Sequence, residues 1–185
     1  MVAITRLYTI EEFWDYITLP EHLDRHFELV GGEIISTTAD FYASQVSAEI
    51  GYCIKDHIKK HKIKGRVTGA DGGYMVSNKP YIPDVAYIAY TDQPVRDQKY
   101  GYNLQAPDLA VEVQSPTDRD EALKSKIADY LNAGTLVWWV KPKDKTVIVY
   151  APKQAPQQLH ADDVLDGGDV LPEFRVSVKD LFPEE

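Results

Sequence analysis

Cysteine is almost absent from this chain: Cys53 is the single one in 185 residues. One thiol cannot close an internal disulfide or build a cysteine-based zinc cluster, so both kinds of scaffold are excluded. Its place inside a helical pattern reads as simple burial. Long apolar runs are missing as well. Leu136-Val137-Trp138-Trp139-Val140 is strand-sized, far short of the roughly 20 residues of a membrane helix, and no membrane span is expected. The first residues, Met1-Val2-Ala3-Ile4-Thr5-Arg6, lack the charged, apolar and small-residue order of a secretory signal, so a cytoplasmic location is expected. An excess of positive charge is lacking too: the net charge of −9 opposes non-specific attraction to nucleic acid. Lys55, Lys59, Lys60, Lys62 and Lys64 nevertheless form a basic run with His57 and His61 between them. Either a local basic patch or cations favoured at the negative end of a helix dipole accounts for it.

Several enzyme signatures are also missing. Gly31-Gly32 and Gly167-Gly168 have neither the flanks of a phosphate-cradling loop nor those of a nucleophilic-serine elbow. His57 and His61 stand one helical turn apart but lack the glutamate of His-Glu-x-x-His, which argues against zinc proteolysis.

What is present is an ordinary globular composition, 44% hydrophobic and 26% charged, in a length that suits one domain over 1–185. Thr9 and Glu12 make a capping box ahead of a helix over 10–18, with Ile10, Phe13, Trp14 and Ile17 at helical spacing. Phe27 to Val30 and Glu33 to Ile35 flank Gly31-Gly32 as a hairpin. A longer helix is predicted over 41–62, with Gly65 ending its exit. Strands at 65–69, 72–77, 81–90 and 109–114 are expected to build a central sheet. A helix over 119–132 ends near Gly134, and the strand through Trp138 leads by Pro142 to Lys145 into Val147-Ile148-Val149-Tyr150. The tail from 151 reads as packed decoration, with a last strand over 174–178. The fold class is therefore α/β (α+β): a central mixed sheet flanked by helices, with additional hairpins at both ends.

Two acids interrupt this apolar pattern. Asp84 follows Pro83 inside Tyr81-Ile82-Pro83-Asp84-Val85-Ala86-Tyr87-Ile88, where a two-residue period would group Asp84, Ala86 and Ile88. Glu112 lies within Leu109-Ala110-Val111-Glu112-Val113-Gln114, on the same face as Ala110 and Gln114. A carboxylate in apolar surroundings needs a cation or a donor, which makes each a candidate metal ligand; a strand terminus explains Asp84 equally well. Carboxylates from neighbouring strands suit Mg²⁺, which takes oxygen ligands and keeps several waters. Such an ion promotes in-line attack of water on phosphorus, and a nearby lysine adds a partner for the phosphate.

Asp84, a gap of 27 residues, then Glu112-x-Gln114 resembles the PD-(D/E)XK nuclease superfamily, with Gln114 standing where that family has lysine. Within it the chain resembles the restriction endonuclease-like branch of the Uma-two type. The resemblance is carried by Phe27-Glu28-Leu29-Val30-Gly31-Gly32-Glu33-Ile34, Pro83 to Ile88 and Val111-Glu112-Val113-Gln114-Ser115-Pro116-Thr117-Asp118. It continues through Lys126, Tyr130, Asn132-Ala133-Gly134, Val137 to Val140 and Leu171-Pro172-Glu173-Phe174.

The resemblance implies a restriction endonuclease-like fold and an endonuclease that hydrolyses phosphodiester bonds, with Mg²⁺ as cofactor and Mn²⁺ able to substitute. Asp84 and Glu112 would hold the ion, with the Val113 carbonyl as a third ligand, and Lys126 would replace the missing lysine. That last role requires the helix over 119–132 to fold back over the strand end. Periodicity leaves Lys124 and Lys126 equivalent; the Lys-x-x-x-Tyr spacing to Tyr130 favours Lys126. Glu28 matches an N-terminal acidic position of the family and is otherwise a solvent-facing strand residue. Gln114 would hydrogen-bond a metal-bound water or the substrate phosphate, while Tyr130 would pack against the sheet. DNA is the expected partner and a homodimer the expected assembly. The alternative is a nuclease-fold module that binds or regulates with little or no turnover, which the acidic charge and Gln114 motivate.

Overall fold

The computed structural model describes residues 6–23, 25–36, 40–89, 100–116 and 118–183. Tyr90, the expected end of one strand, and Thr117, part of the motif around Glu112, lie outside the described residues.

Helix α1 (Ile10–Ile17) starts at the predicted box: the Thr9 hydroxyl accepts from the Glu12 N–H at 3.2 Å, and the Glu12 carboxylate accepts from the Thr9 N–H at 2.9 Å. Its buried residue Phe13 packs on Phe27 and Leu29 of strand β1 (Phe27–Val30). β1 pairs antiparallel with β2 (Glu33–Ser36) through Gly31 and Gly32, whose φ values of 58° and 86° are those a tight hairpin turn demands. Helix α2 (Phe41–Lys60) is capped by Asp40, whose carboxylate accepts from the Ala43 N–H at 2.6 Å. The chain leaves α2 through Lys62 at φ 55°, not at Gly65. Gly65 instead opens β3 (Gly65–Gly69), where the Tyr87 ring covers it and leaves no room for a side chain.

The next expectation is also corrected. The predicted 72–77 strand is β4 (Tyr74–Val76), which turns back through Ser77 and Asn78, both at positive φ, to form a two-stranded sheet with β5 (Lys79–Tyr81) apart from the main sheet. The predicted 81–90 strand is split: Tyr81 ends β5, and the chain changes sheets at Ile82-Pro83-Asp84 before β6 (Val85–Ala89). Pro83 has no N–H to give a ladder, so the break falls where the backbone can tolerate it. β7 (Leu109–Val113), helix α3 (Asp120–Asn132) and β8 (Leu136–Lys141) follow as a parallel crossover unit. β9 (Thr146–Tyr150) and β10 (Gln157–Leu159) extend the sheet, and β11 (Val164–Asp166) pairs with β12 (Arg175–Ser177) as a separate hairpin.

The main sheet has the order β10-β9-β8-β7-β6-β3, parallel only between β7 and β8. Alternation along β7 sorts the core. Leu109, Val111 and Val113 meet Val46, Ile50 and Ile54 of α2 on one face. Ala110 joins Ala86, Val137 and Trp139 against Leu123, Ile127 and Tyr130 of α3 on the other. Each such buried aliphatic side chain contributes roughly 1.5–3 kcal/mol, so α2 and α3 are firmly seated on opposite faces. The small pair Ala86 and Ala110, directly opposite in register, packs within this α3 face.

Candidate active site

The functional side chains sit where the apolar register runs out. β6 and β7 pair Val85 with Val111 and Ala86 with Ala110, so one further step brings Asp84 opposite Glu112. Asp84 is not a strand residue; it lies just ahead of β6, and its Oδ2 accepts from the Val113 N–H at 2.7 Å. Glu112 belongs to the α3 side of β7 and is 5% exposed. α3 does fold back over this strand: Lys126 Nζ donates to Glu112 Oε2 at 2.8 Å, and the Tyr130 hydroxyl donates to Oε1 at 3.0 Å. One helical turn separates Lys126 from Tyr130, which places both above the same carboxylate.

Glu28 completes the group from β1. Its Oε1 and Oε2 accept from Lys126 Nζ at 2.9 and 3.0 Å, and Oε1 also accepts from the Ile82 N–H at 2.7 Å. The expectation of a solvent-facing strand residue is overturned, since Glu28 is buried and points inward. Lys126 is buried while Lys124 is exposed, so the structure separates the two lysines that periodicity left equivalent.

Glu28 and Glu112 thus share the Lys126 ammonium, and Asp84 feels its charge without bonding to it. Burial pushes the Asp84 carboxyl up to about 6, against the opposing pull of the Val113 N–H and Lys126. Burial likewise pushes Glu112 up, with Glu28 and Asp84 adding to it and Lys126 opposing. For Lys126 burial acts downward, but Glu112 and Glu28 outweigh it and hold the ammonium charged. The site carries more negative charge than its own cation offsets.

That imbalance is the observation that fits a divalent ion. No three His, Cys, Asp or Glu side chains are grouped as a ready metal cage among the described residues. Mg²⁺ does not require one, because it keeps waters and uses one or two carboxylates. Asp84 and Glu112 supply oxygens of the right hardness. Each Glu112 oxygen already accepts one hydrogen bond and retains a second lone pair.

Glu28, Asp84, Glu112, Val113 and Lys126 all line one cleft of about 1310 Å³. Its walls come from α2, the start of α3, and the β1 and β3 regions. Gln114 is not among the lining residues; its side-chain amide donates to Asp120 Oδ1 at 2.6 Å at the start of α3. The Gln114 side chain, expected to contact substrate or a metal-bound water, is engaged by Asp120. His57 is buried, hydrogen-bonded to the Pro172 carbonyl at 3.0 Å and packed against Phe174, so it belongs to the core.

Two supporting residues escaped the sequence. Tyr81 places its ring 5.6 Å from Lys126 Nζ, and its hydroxyl donates to Asp129 Oδ2 at 2.5 Å. Asp129 also accepts from Lys79 Nζ, at 2.9 and 2.7 Å, pinning the β4–β5 hairpin to α3. The Lys126 to Tyr130 spacing put two residues on one helical face, but no sequence signal paired Tyr81 with Asp129. Tyr130 proves to be more than packing.

Comparison with known proteins adds two findings. Residues 11–179 match the model of the Uma2 family, described as "Putative restriction endonuclease". The fold is similar to the crystal structure of "a putative nuclease belonging to DUF820" from Anabaena variabilis, with 25% identity and a TM-score of 0.79, covering 94% of this chain and 97% of that one. No curated protein matches the chain.

Proposed function

The chain belongs to this restriction endonuclease family, and from that premise we propose that it is a divalent-metal-dependent endonuclease acting on DNA phosphodiester bonds. The observation that carries the reading is the convergence of Asp84, just ahead of β6, and Glu112 of the adjoining β7 with the Lys126 ammonium in one cleft.

Asp84 and Glu112 would hold Mg²⁺ or Mn²⁺, with the Val113 carbonyl as a candidate third ligand. When bound, such an ion supplies Lewis acidity toward phosphoryl oxygen and a stronger water nucleophile. The chain's own groups do the rest. Val113 fixes the orientation of Asp84 through its N–H, and Tyr130 fixes Glu112 through its hydroxyl. Lys126 is the cation available to a scissile phosphate, held charged and aimed by Glu28 and Glu112. Glu28 acts as a positioning residue, since it touches Lys126 and the Ile82 N–H. A homodimer, with two such sites facing two strands, is the assembly we propose.

The test is cleavage of supercoiled plasmid with Mg²⁺, Mn²⁺ or excess chelator, using wild type, Asp84→Ala and Glu112→Gln. Nicking that needs the ion and disappears in both variants is expected. Calorimetric titration with Mn²⁺ reads the ligand assignment separately: equal ion binding by wild type and Asp84→Ala would refute it. Sedimentation equilibrium reads the assembly.

A further inference from the structure

The exposed residues of α2 include Phe41, Ser44, Ala48, Tyr52, Lys55 and Lys59, at steps of three or four that align them on one helical face. All but Lys59 line the same cleft as Asp84 and Glu112. The face is aromatic at one end and in its middle: Phe41 is 81% exposed and Tyr52 63%. Eleven residues separate the two rings, close to three turns, so they stand about 16 Å apart along the axis on the same side. The face is cationic at the other end. Among the described residues no carboxylate pairs with Lys55 or Lys59, whereas Lys60, on a different side, pairs with Asp56 at 2.7 Å. The helix dipole accounts for lysines near the end of α2, but not for two uncovered aromatic rings in line with them.

We propose that this face of α2 is the track for a single strand of DNA, with unpaired bases stacking on Phe41 and Tyr52 and phosphates meeting Lys55 and Lys59. The identity of the polymer rests on the nuclease reading above; the geometry of the track does not. Aromatic rings in line with lysines are what a flexible strand requires, because every unpaired base offers a flat face to stack and every phosphate a charge to pair. A duplex keeps those faces stacked on one another. The depth of the reacting groups points the same way: Glu112 and Lys126 are 5% and 6% exposed, so a phosphate must enter the cleft to reach them. A single strand bends into such a cleft more readily than a stiff double helix. In a chain of net charge −9 the track offers phosphates two lysines, Lys55 and Lys59, that no carboxylate among the described residues neutralises.

Fluorescence anisotropy with a labelled oligo-dT, a blunt duplex of equal length and an oligo-U, all in chelator so that nothing is cut, tests the track apart from catalysis. Wild type should bind oligo-dT at least tenfold more tightly than the duplex. Tyr52→Ala and Phe41→Ala should each weaken that binding on the order of tenfold. Lys55→Gln should reduce the slope of log affinity against log salt by about 0.7. Lys143→Gln, an exposed lysine outside the cleft, should change neither. Because the substituted side chains are exposed, unchanged melting temperatures verify that each variant is folded. Equal affinity for the duplex, tighter binding of oligo-U, or Tyr52→Ala binding like wild type would overturn the proposal. So would dissociation of a dimer by Tyr52→Ala, which would assign this face to a second copy. Metal-dependent nicking that survives while the variants bind normally refutes the track and leaves the nuclease. Loss of binding in the variants without nicking by wild type does the reverse.

Discussion

Lys126 donates to Glu112 Oε2 at 2.8 Å across a fourteen-residue separation, and this bond links the end of β7 to the helix that folds back over it. Neither partner can be removed without leaving the other buried. Lys126→Ala would strand Glu112 and Glu28 without their shared cation, at a cost of about 3–5 kcal/mol. The pH dependence follows from the direction of the shift. The Lys126 pKa is raised on folding, so its stabilisation is present below the ordinary lysine range and is lost as pH rises through the folded value. In the variant, protonation of the abandoned carboxyls relieves the cost at low pH. Urea unfolding should therefore show a larger loss at pH 8 than at pH 5; an equal loss at both would mean that Lys126 contributes packing alone. Plasmid nicking should vanish while Mn²⁺ binding persists.

Asp84 shows the opposite relation between function and stability. Its folded pKa of about 6 lies above the ordinary value of 3.8, so the folded state holds a proton more tightly than the unfolded chain. Stability from this group is fullest below about 4 and falls as pH climbs through 6, leaving a cost on the order of 3 kcal/mol at neutral pH. Asp84→Asn keeps an oxygen for the Val113 N–H and removes the charge. The variant should unfold at higher urea than wild type at pH 8, with the difference shrinking toward pH 4, and it should lose Mn²⁺ affinity. A variant no more stable than wild type at pH 8 would contradict this account.

How much of this was legible in the chain itself depends on which signal each residue carried. Alternation in Leu109 to Val113 places Glu112 correctly on the face of Ala110, because strand period alone decides faces. The capping box at Thr9, the glycine turn at Gly31 and Gly32, and the α3 boundaries were readable because each rests on local chemistry. The sheet assignment of Tyr74 to Val76 was not, since strand pattern does not name the pairing partner and Ser77-Asn78 has no glycine to announce its tight turn. Glu28 reads in sequence like any acid in a hairpin; only the packing of β1 against β5 and α3 turns it inward. Lys124 and Lys126 differ by where α3 is seated, which periodicity could not fix.

Gln114 supplies a prediction of small effect. Its amide is bound to Asp120 and it does not line the cleft, which argues for a supporting position rather than contact with the reacting groups. Gln114→Ala should lower the nicking rate less than fivefold and cost about 0.5–1.5 kcal/mol of stability through the lost bond. A loss comparable to that of Glu112→Gln would return Gln114 to the reacting groups.

Tyr130 offers the sharpest separation of packing from chemistry. Its ring is fully buried against the sheet, so Tyr130→Phe preserves nearly all of its contacts and deletes one donor to Glu112 Oε1. The deleted bond favours the ionised carboxylate, and without it a carboxyl already raised by burial rises further. Ion binding needs that carboxylate deprotonated, so the pH at which Mn²⁺ binding is half-maximal should move upward, by about one unit for a bond of ordinary strength. Stability should fall by about 1–3 kcal/mol, as a buried acceptor loses its partner. Calorimetric titration of wild type and variant between pH 6 and 9 distinguishes the alternatives: a purely structural Tyr130 lowers the melting temperature and leaves the pH profile of ion binding where it was.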